Sequence, residues 1–260
     1  MKLINVSDIA TYAICPLKVY YKLVLGKKER INENIVFGRI KHKFMEKINE
    51  VEKEILEGIK KDEIYESIKR KFDEKYSLIF QNLKQDYKKE IEKFNIEKRV
   101  DEEIGKIKKE EAEIRAKTAV KFVNLGFYGK ELYDVVPKFL CEYEIKSFVL
   151  GMKGRIDKIR IDKEITPYEI KSRMYNNKIW LSEKLQICGY AMLAERKFKT
   201  NIDYGFLKFK DKTVKIEIKN SLREILIDLK KEIEKMIKNK TKPEKKEVAC
   251  KSCGFYEICK

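Results

Sequence analysis

The sequence predicts an α/β fold, a sheet-bearing core interrupted by one long helical insertion, and three observations predict it. Three strand-like runs follow one another within residues 137–171, and a helix and a strand pair come after them. Residues 60–126 are rich in Lys and Glu, with apolar residues at helical intervals. At 260 residues the chain is long enough for one substantial core plus an appendage. A hydrophobic fraction of 43% is ordinary for a folded protein, so the 40% of charged residues describes its surface and not disorder.

Each element has a local reason. Residues 7–24 read as a short helical hairpin with Ser7 as the N-cap, interrupted at Cys15-Pro16 because proline cannot continue a hydrogen-bonded helix. From Asn34 a longer amphipathic helix sets Ile40, Phe44, Ile48, Val51, Ile55 and Ile59 on one stripe, with His42 and Glu46 on another face. In the insertion Ile64, Ile68 and Phe72, then Val100, Ile104 and Ile107, keep the helical period without sustained heptads. After Pro137 the period changes to two: Phe139, Cys141, Tyr143 and Ile145 alternate with polar neighbours, and 152–161 and 165–171 continue as strands. A helix over 177–197, strands at 203–210 and 213–219, and a last helix capped by Ser221 and ending near Lys240 complete the order.

Charge and composition narrow the partners. A net charge of +17 attracts polyanions, and neutralising phosphates releases condensed counterions, so nucleic acid is the first partner to expect. No apolar stretch has the length of a signal peptide or membrane span, which predicts a soluble, cytoplasmic protein with no membrane partner. No Gly-rich phosphate loop follows a strand, which argues against nucleotide-driven chemistry and leaves metal as the agent for phosphate chemistry. In a reducing compartment the six cysteines read as metal ligands or buried thiols and not as disulfides.

The chemistry concentrates on two strands. Gly154-Arg155-Ile156-Asp157 lies on the second and Glu169-Ile170-Lys171 ends the third, so Glu169 and Lys171 share a face about 7 Å apart. Asp157 approaches Glu169 from the neighbouring strand. Two such carboxylates repel unless a cation lies between them, and hard divalent cations such as magnesium or manganese favour oxygen ligands. Such a cation neutralises phosphate charge and acidifies water, while Lys171 orients that water and stabilises the developing charge. On the following helix Gln186 and Tyr190 share one face at i, i+4. On the first strand Glu142 and Glu144 both face away from Cys141, and either is an accessory ligand candidate.

Taken in order, Gly38-x-x-x-His42, Gly154-x-x-Asp157, Glu169-x-Lys171 and Gln186-x-x-x-Tyr190 resemble the RecB-like nucleases of the PD-(D/E)XK type. The resemblance implies a restriction-endonuclease-like core, a mixed central sheet flanked by helices. It implies that His42, Asp157 and Glu169 bind Mn2+ or Mg2+, that Lys171 is catalytic, and that Gln186 and Tyr190 support the active site. The imidazole tilts the preference toward manganese.

Cys15 stands near the start, and Cys250-x-x-Cys253-x5-Cys259 lies at the far end. Their spacing suits zinc or a 4Fe-4S cluster equally. The arrangement of one cysteine before the histidine motif and three at the carboxyl end resembles the iron-sulfur branch of RecB-like nucleases, including the CRISPR-associated adaptation exonucleases. That branch implies a 4Fe-4S cluster stapling both ends of the chain, whereas Cys141 and Cys188 read as buried apolar residues. The chain then divides into a cluster region of residues 1–30 and 241–260, a nuclease core of 31–59 and 127–240, and the insertion of 60–126. The implied function is a metal-dependent exonuclease on single-stranded DNA ends, trimming DNA for CRISPR spacer acquisition with the spacer integrase complex as a partner. A stand-alone repair exonuclease and a non-catalytic, zinc-stabilised nucleic-acid-binding module are the alternatives, and retention of Asp157, Glu169 and Lys171 weighs against the latter.

Overall fold

The computed structural model of the protein describes residues 3–244, 250 and 253–259. In chain order it runs β1 (Ile4–Asn5), α1 (Val6–Ile14), α2 (Pro16–Leu23), α3 (Glu33–Glu50), α4 (Glu52–Glu57), α5 (Tyr65–Asp86), α6 (Lys88–Phe94), α7 (Glu97–Val123) and α8 (Gly129–Val135). It continues with β2 (Lys138–Ser147), β3 (Met152–Ile161), β4 (Ile165–Ile170), α9 (Leu181–Phe198), β5 (Tyr204–Lys208), β6 (Thr213–Glu217), α10 (Asn220–Asn239) and α11 (Tyr256–Cys259). Contacts divide the chain into a helical body, Ile31–Cys141, and a sheet body made of Met1–Arg30 and Glu142–Lys260. No helix among the described residues is long and apolar enough to cross a membrane.

In the helical body, α3 starts where the Asn32 side chain accepts the Ile35 N–H at 3.0 Å, satisfying one of the unpaired donors of the first turn. The stripe read from the sequence is its buried face: Ile40, Phe44 and Ile48 are fully covered, and Ile55 and Ile59 continue it beyond a break near Val51. Phe44 meets the Tyr76 and Phe80 rings of α5 edge-on at 6.4 and 6.2 Å. The long helices α5 and α7 pack along each other through Ile68, Phe72 and Tyr76 on one side and Val100, Ile104 and Ala112 on the other. These contacts join α3 to the helices of 60–126, so the sequence boundaries at 59/60 and 126/127 fall inside one packed unit.

The sheet body is built on a mixed sheet of order β1-β3-β4-β5-β6, with β2, which straddles the division, pairing with β3. β1 runs parallel to β3 and β4 parallel to β5, while β3/β4 and β5/β6 are antiparallel. α9 makes the crossover between β4 and β5, which parallel strands require, and packs on β3, β4 and β5. α1 and α10 close on α9 at Gly189, where an added Cβ would come within 2.6 Å of Val6 Cγ1, so only glycine permits this approach. This mixed sheet flanked by helices is the α/β architecture expected from the sequence.

Some boundaries differ. Asn5, not Ser7, occupies the N-cap of α1, and Ser7 lies inside the helix, its carbonyl accepting the Thr11 hydroxyl at 2.7 Å. Ser221 likewise falls within α10, whose N-cap is Lys219. The helix expected from residue 177 begins only at Leu181, because the Glu183 carboxylate accepts the Trp180 N–H at 3.1 Å and so fixes the first turn there. β1, two residues long, is too short to show alternation in the sequence.

Candidate active site

Two antiparallel strands set the acidic residues side by side. The β3/β4 ladder pairs Lys158 with Tyr168, so its next rung sets Asp157 against Glu169. Both carboxylates are buried, at 6% and 7% exposure. Asp157 Oδ2 accepts the Ile170 N–H at 2.7 Å, a bond to the charged form that fixes the side chain at the end of β4. One residue further, the Lys171 N–H donates to the Lys208 carbonyl at 2.8 Å, which holds the lysine in line with β5.

From Lys171 a chain of hydrogen bonds crosses to α9. Its Nζ donates to Glu169 Oε1 at 3.0 Å and to Gln186 Oε1 at 3.1 Å, and Gln186 Nε2 donates to the Tyr190 hydroxyl at 3.0 Å. The five residues Asp157, Glu169, Lys171, Gln186 and Tyr190 therefore meet in one place. Gly154, three residues before Asp157, makes room for them: a Cβ there would lie 3.0 Å from Tyr190 Cε1 and 3.1 Å from Leu193 Cδ1. Burial first, then the charges of Glu169 and Asp157, push the Tyr190 hydroxyl well above its usual pKa, so the ring reports a negative field. That field and the oxygen-only donors of the carboxylates fit a hard divalent cation.

The structure separates the two accessory candidates. Glu142 adopts a left-handed φ of 53°, which side chains rarely accept in a strand, and offers an oxygen within 4.8 Å of one from Asp157. Glu144 is exposed and pairs with Lys146 at 3.2 Å. Strict alternation would give both the same face, and the left-handed residue breaks that equivalence, a feature no sequence period discloses. His42 lies half buried on α3 of the helical body.

Also within the sheet body, Cys15, Cys250, Cys253 and Cys259 line one cavity of about 330 Å3, together with Tyr21 and Phe255. Cys15 sits in extended backbone between α1 and α2, where Pro16 opens the second helix without needing an N–H donor. Gly254 brings the carboxyl end back to the start, its carbonyl accepting the Arg30 N–H at 3.2 Å and its bare Cα lying against Glu29. Burial, then Cys259, Tyr20 and Cys15, push the Tyr21 hydroxyl up. Four thiols converging on one pocket fit a group that thiolates bind. Residues 245–249, 251, 252 and 260 of the expected cluster region lie outside the described residues. Cys141 and Cys188 are buried, and burial pushes the Cys188 thiol up to about 12.

The profile of the PD-(D/E)XK nuclease superfamily matches residues 4–260. A CRISPR-associated exonuclease Csa1 from Saccharolobus solfataricus is 26% identical over 147 residues, which cover 54% of this chain and 48% of that protein. The chain thus spans about half the length of this relative. The crystal structure of SSO0001 shares 20% identity over 62% of this chain and 78% of its own, with a TM-score of 0.32.

Proposed function

The chain belongs to the PD-(D/E)XK nuclease superfamily, and from that premise we propose that it is a DNA exonuclease acting on single-stranded ends, trimming DNA for CRISPR spacer acquisition. The observation that supports catalysis is the continuous constellation from Asp157 and Glu169 through Lys171 to Gln186 and Tyr190. The name of the Csa1 relative, a CRISPR-associated exonuclease, supports the CRISPR setting. In this reading the partner is the spacer integrase complex and the place of action the cytoplasm.

His42, Asp157 and Glu169 hold Mn2+ or Mg2+ in this reading, with Glu142 as a further oxygen donor. The cation supplies charge neutralisation at the scissile phosphate and an acidified water. The protein's own groups do the rest. Asp157 is kept aimed by the Ile170 N–H, and Lys171, held between Glu169 and Gln186, orients the attacking water and stabilises charge on the phosphoryl oxygens. Tyr190 stays neutral and fixes Gln186. Cys15, Cys250, Cys253 and Cys259 would hold a 4Fe-4S cluster that staples the region of residues 1–30 to that of 241–260.

The test is degradation of end-labelled single-stranded DNA with Mn2+ or Mg2+, set against a circular strand of the same sequence. The linear strand is shortened and the circle survives. Cleavage of the circle at the same rate removes the exonuclease assignment, and undiminished cleavage by Asp157→Ala removes the active site. Protein prepared without oxygen should contain about four irons per chain. Stoichiometric zinc without iron overturns the cluster and leaves the nuclease site standing.

A further inference from the structure

Between Lys171 and α9 lies a loop whose construction exceeds what joining a strand to a helix requires. Arg173 stacks its guanidinium on two rings, 4.6 Å from the centre of Trp180 and 4.7 Å from that of Phe209. The same Arg173 Nη2 donates to both oxygens of Glu183 at 3.0 Å, and Glu183 also accepts the Trp180 N–H at 3.1 Å. Tyr175 extends the layer, its ring centre 5.2 Å from that of Phe209 and 5.0 Å from Lys212 Nζ. One buried carboxylate thus fixes both the arginine and the backbone that bears the indole.

Anchoring accounts for Arg173, Glu183 and Phe209, which is itself 3% exposed. It does not account for Trp180. This tryptophan, which the sequence contains once, leaves 44% of its surface exposed, and in the same loop and first helical turn Met174 is 59% and Leu181 48% exposed. An indole whose purpose were to hold the loop would be turned in. Its position is also specific: the Arg173–Glu183 cross-link stands next to the Lys171–Gln186 cross-link, joining the same strand end to the same helix. Trp180 precedes Gln186 by six residues, about 9 Å along the helix axis, the length of two to three stacked nucleotides at about 3.4 Å each. Lys178, Lys210 and Lys212 are exposed around it and supply charge complementary to a phosphate backbone.

We propose that Trp180, held by Arg173 and Glu183, is a base-stacking platform that grips an unpaired nucleobase of the DNA strand close to the scissile phosphate. The inference rests on the proposed DNA nuclease function and adds the feature that prefers single strands: an indole face is matched by an unstacked base, whereas bases of a duplex are already stacked on each other. Every base has such a face, so the platform is tolerant of sequence. Arg173 is a positioning residue in this scheme.

The sole tryptophan makes the contact directly visible. Excited selectively, it is titrated without divalent metal by an oligothymidine strand and by an abasic sugar-phosphate strand of the same length, while labelled-strand anisotropy reads affinity. Oligothymidine should quench the indole and the abasic strand should not. Trp180→Ala should weaken oligothymidine binding roughly 5- to 150-fold, the range for one base–aromatic stack, and leave abasic binding unchanged. Trp180→Phe should restore most of the affinity, which a loop merely loosened by Trp180→Ala would not single out for the base-bearing strand. Equal quenching by both strands, or unchanged oligothymidine affinity in Trp180→Ala, overturns the platform. If wild-type protein binds and cleaves the strand with no change at the indole, the platform falls and the nuclease stands; if it binds no DNA at all, both fall.

Discussion

Each body contains a buried cluster of charge, and the two are built to opposite ends. In the helical body Arg115, 3% exposed, lies with Glu52 and Glu111 on either hand and over the Phe139 ring at 4.1 Å. Burial works against its charge, but Glu52, Tyr76 and Glu111 outweigh it and hold the guanidinium protonated. In the sheet body the equally buried Asp157 and Glu169 lie with Lys171 as the cation bonded to Glu169. A buried tyrosine reads the sign of each field. Burial raises both, but Arg115 pulls Tyr76 down, whereas Glu169 and Asp157 push Tyr190 further up. One cluster pairs its cation with two carboxylates and holds helices together; in the other two carboxylates share one lysine, and in the proposed function they take a divalent cation from outside.

The largest effect that tests this contrast is on chemistry. Lys171→Ala should lower cleavage by about 10^2- to 10^3-fold, as removal of one aimed charge-stabilising group does, while strand affinity changes little. Single-turnover cleavage and anisotropy measured side by side decide it. Equal losses in both would mean that Lys171 only binds. The mirror experiment lies in the helical body. Glu52→Ala leaves Arg115 without its first carboxylate and should cost about 3–5 kcal/mol in denaturant unfolding. Asp157→Ala should cost far less stability, or add some, because it relieves repulsion. Similar unfolding midpoints for these two variants would dissolve the distinction.

A smaller effect probes how the sheet body keeps its cluster aligned. Gly154→Ala sets a methyl against Tyr190 and Leu193 and should cost about 1–3 kcal/mol by overpacking, with activity falling as Tyr190 and Gln186 shift. Thermal unfolding and cleavage rate should move together, and wild-type values for both would show that the ring has room to yield. The same glycine illustrates what was legible in the sequence. Asp157, Glu169, Lys171, Gln186 and Tyr190 were readable because a strand period of two and a helix period near four bring such residues onto shared faces. Glu142 was not separable from Glu144, since one left-handed residue re-aims it. Trp180 carries no periodic signal: the sequence places it inside a helix from residue 177, whereas the structure sets it at the N-cap. A carboxylate three residues inside the helix, not the apolar period, sets that start. The buried Glu52–Arg115 pair was hidden in a Lys- and Glu-rich background where most charges are solvated.

The finest test uses the two tyrosines themselves. The Tyr76 hydroxyl is buried with no hydrogen-bond partner among the described residues, so Tyr76→Phe removes a group that folding desolvates without return. It should be neutral or stabilising by up to about 1 kcal/mol. The Tyr190 hydroxyl accepts from Gln186, and Tyr190→Phe should cost about 1 kcal/mol and loosen the amide that holds Lys171. The pH dependence gives the sign. A hydroxyl whose pKa is raised on folding contributes stability below the unfolded value of about 10, and that contribution disappears as pH rises toward the folded value. Wild-type protein should therefore lose stability above about pH 10, and each Phe variant should lose less over the same range. Unfolding curves across alkaline pH for wild type and the two variants measure this, and a loss above about pH 10 that is the same in all three would show that neither hydroxyl is the group whose ionisation folding opposes.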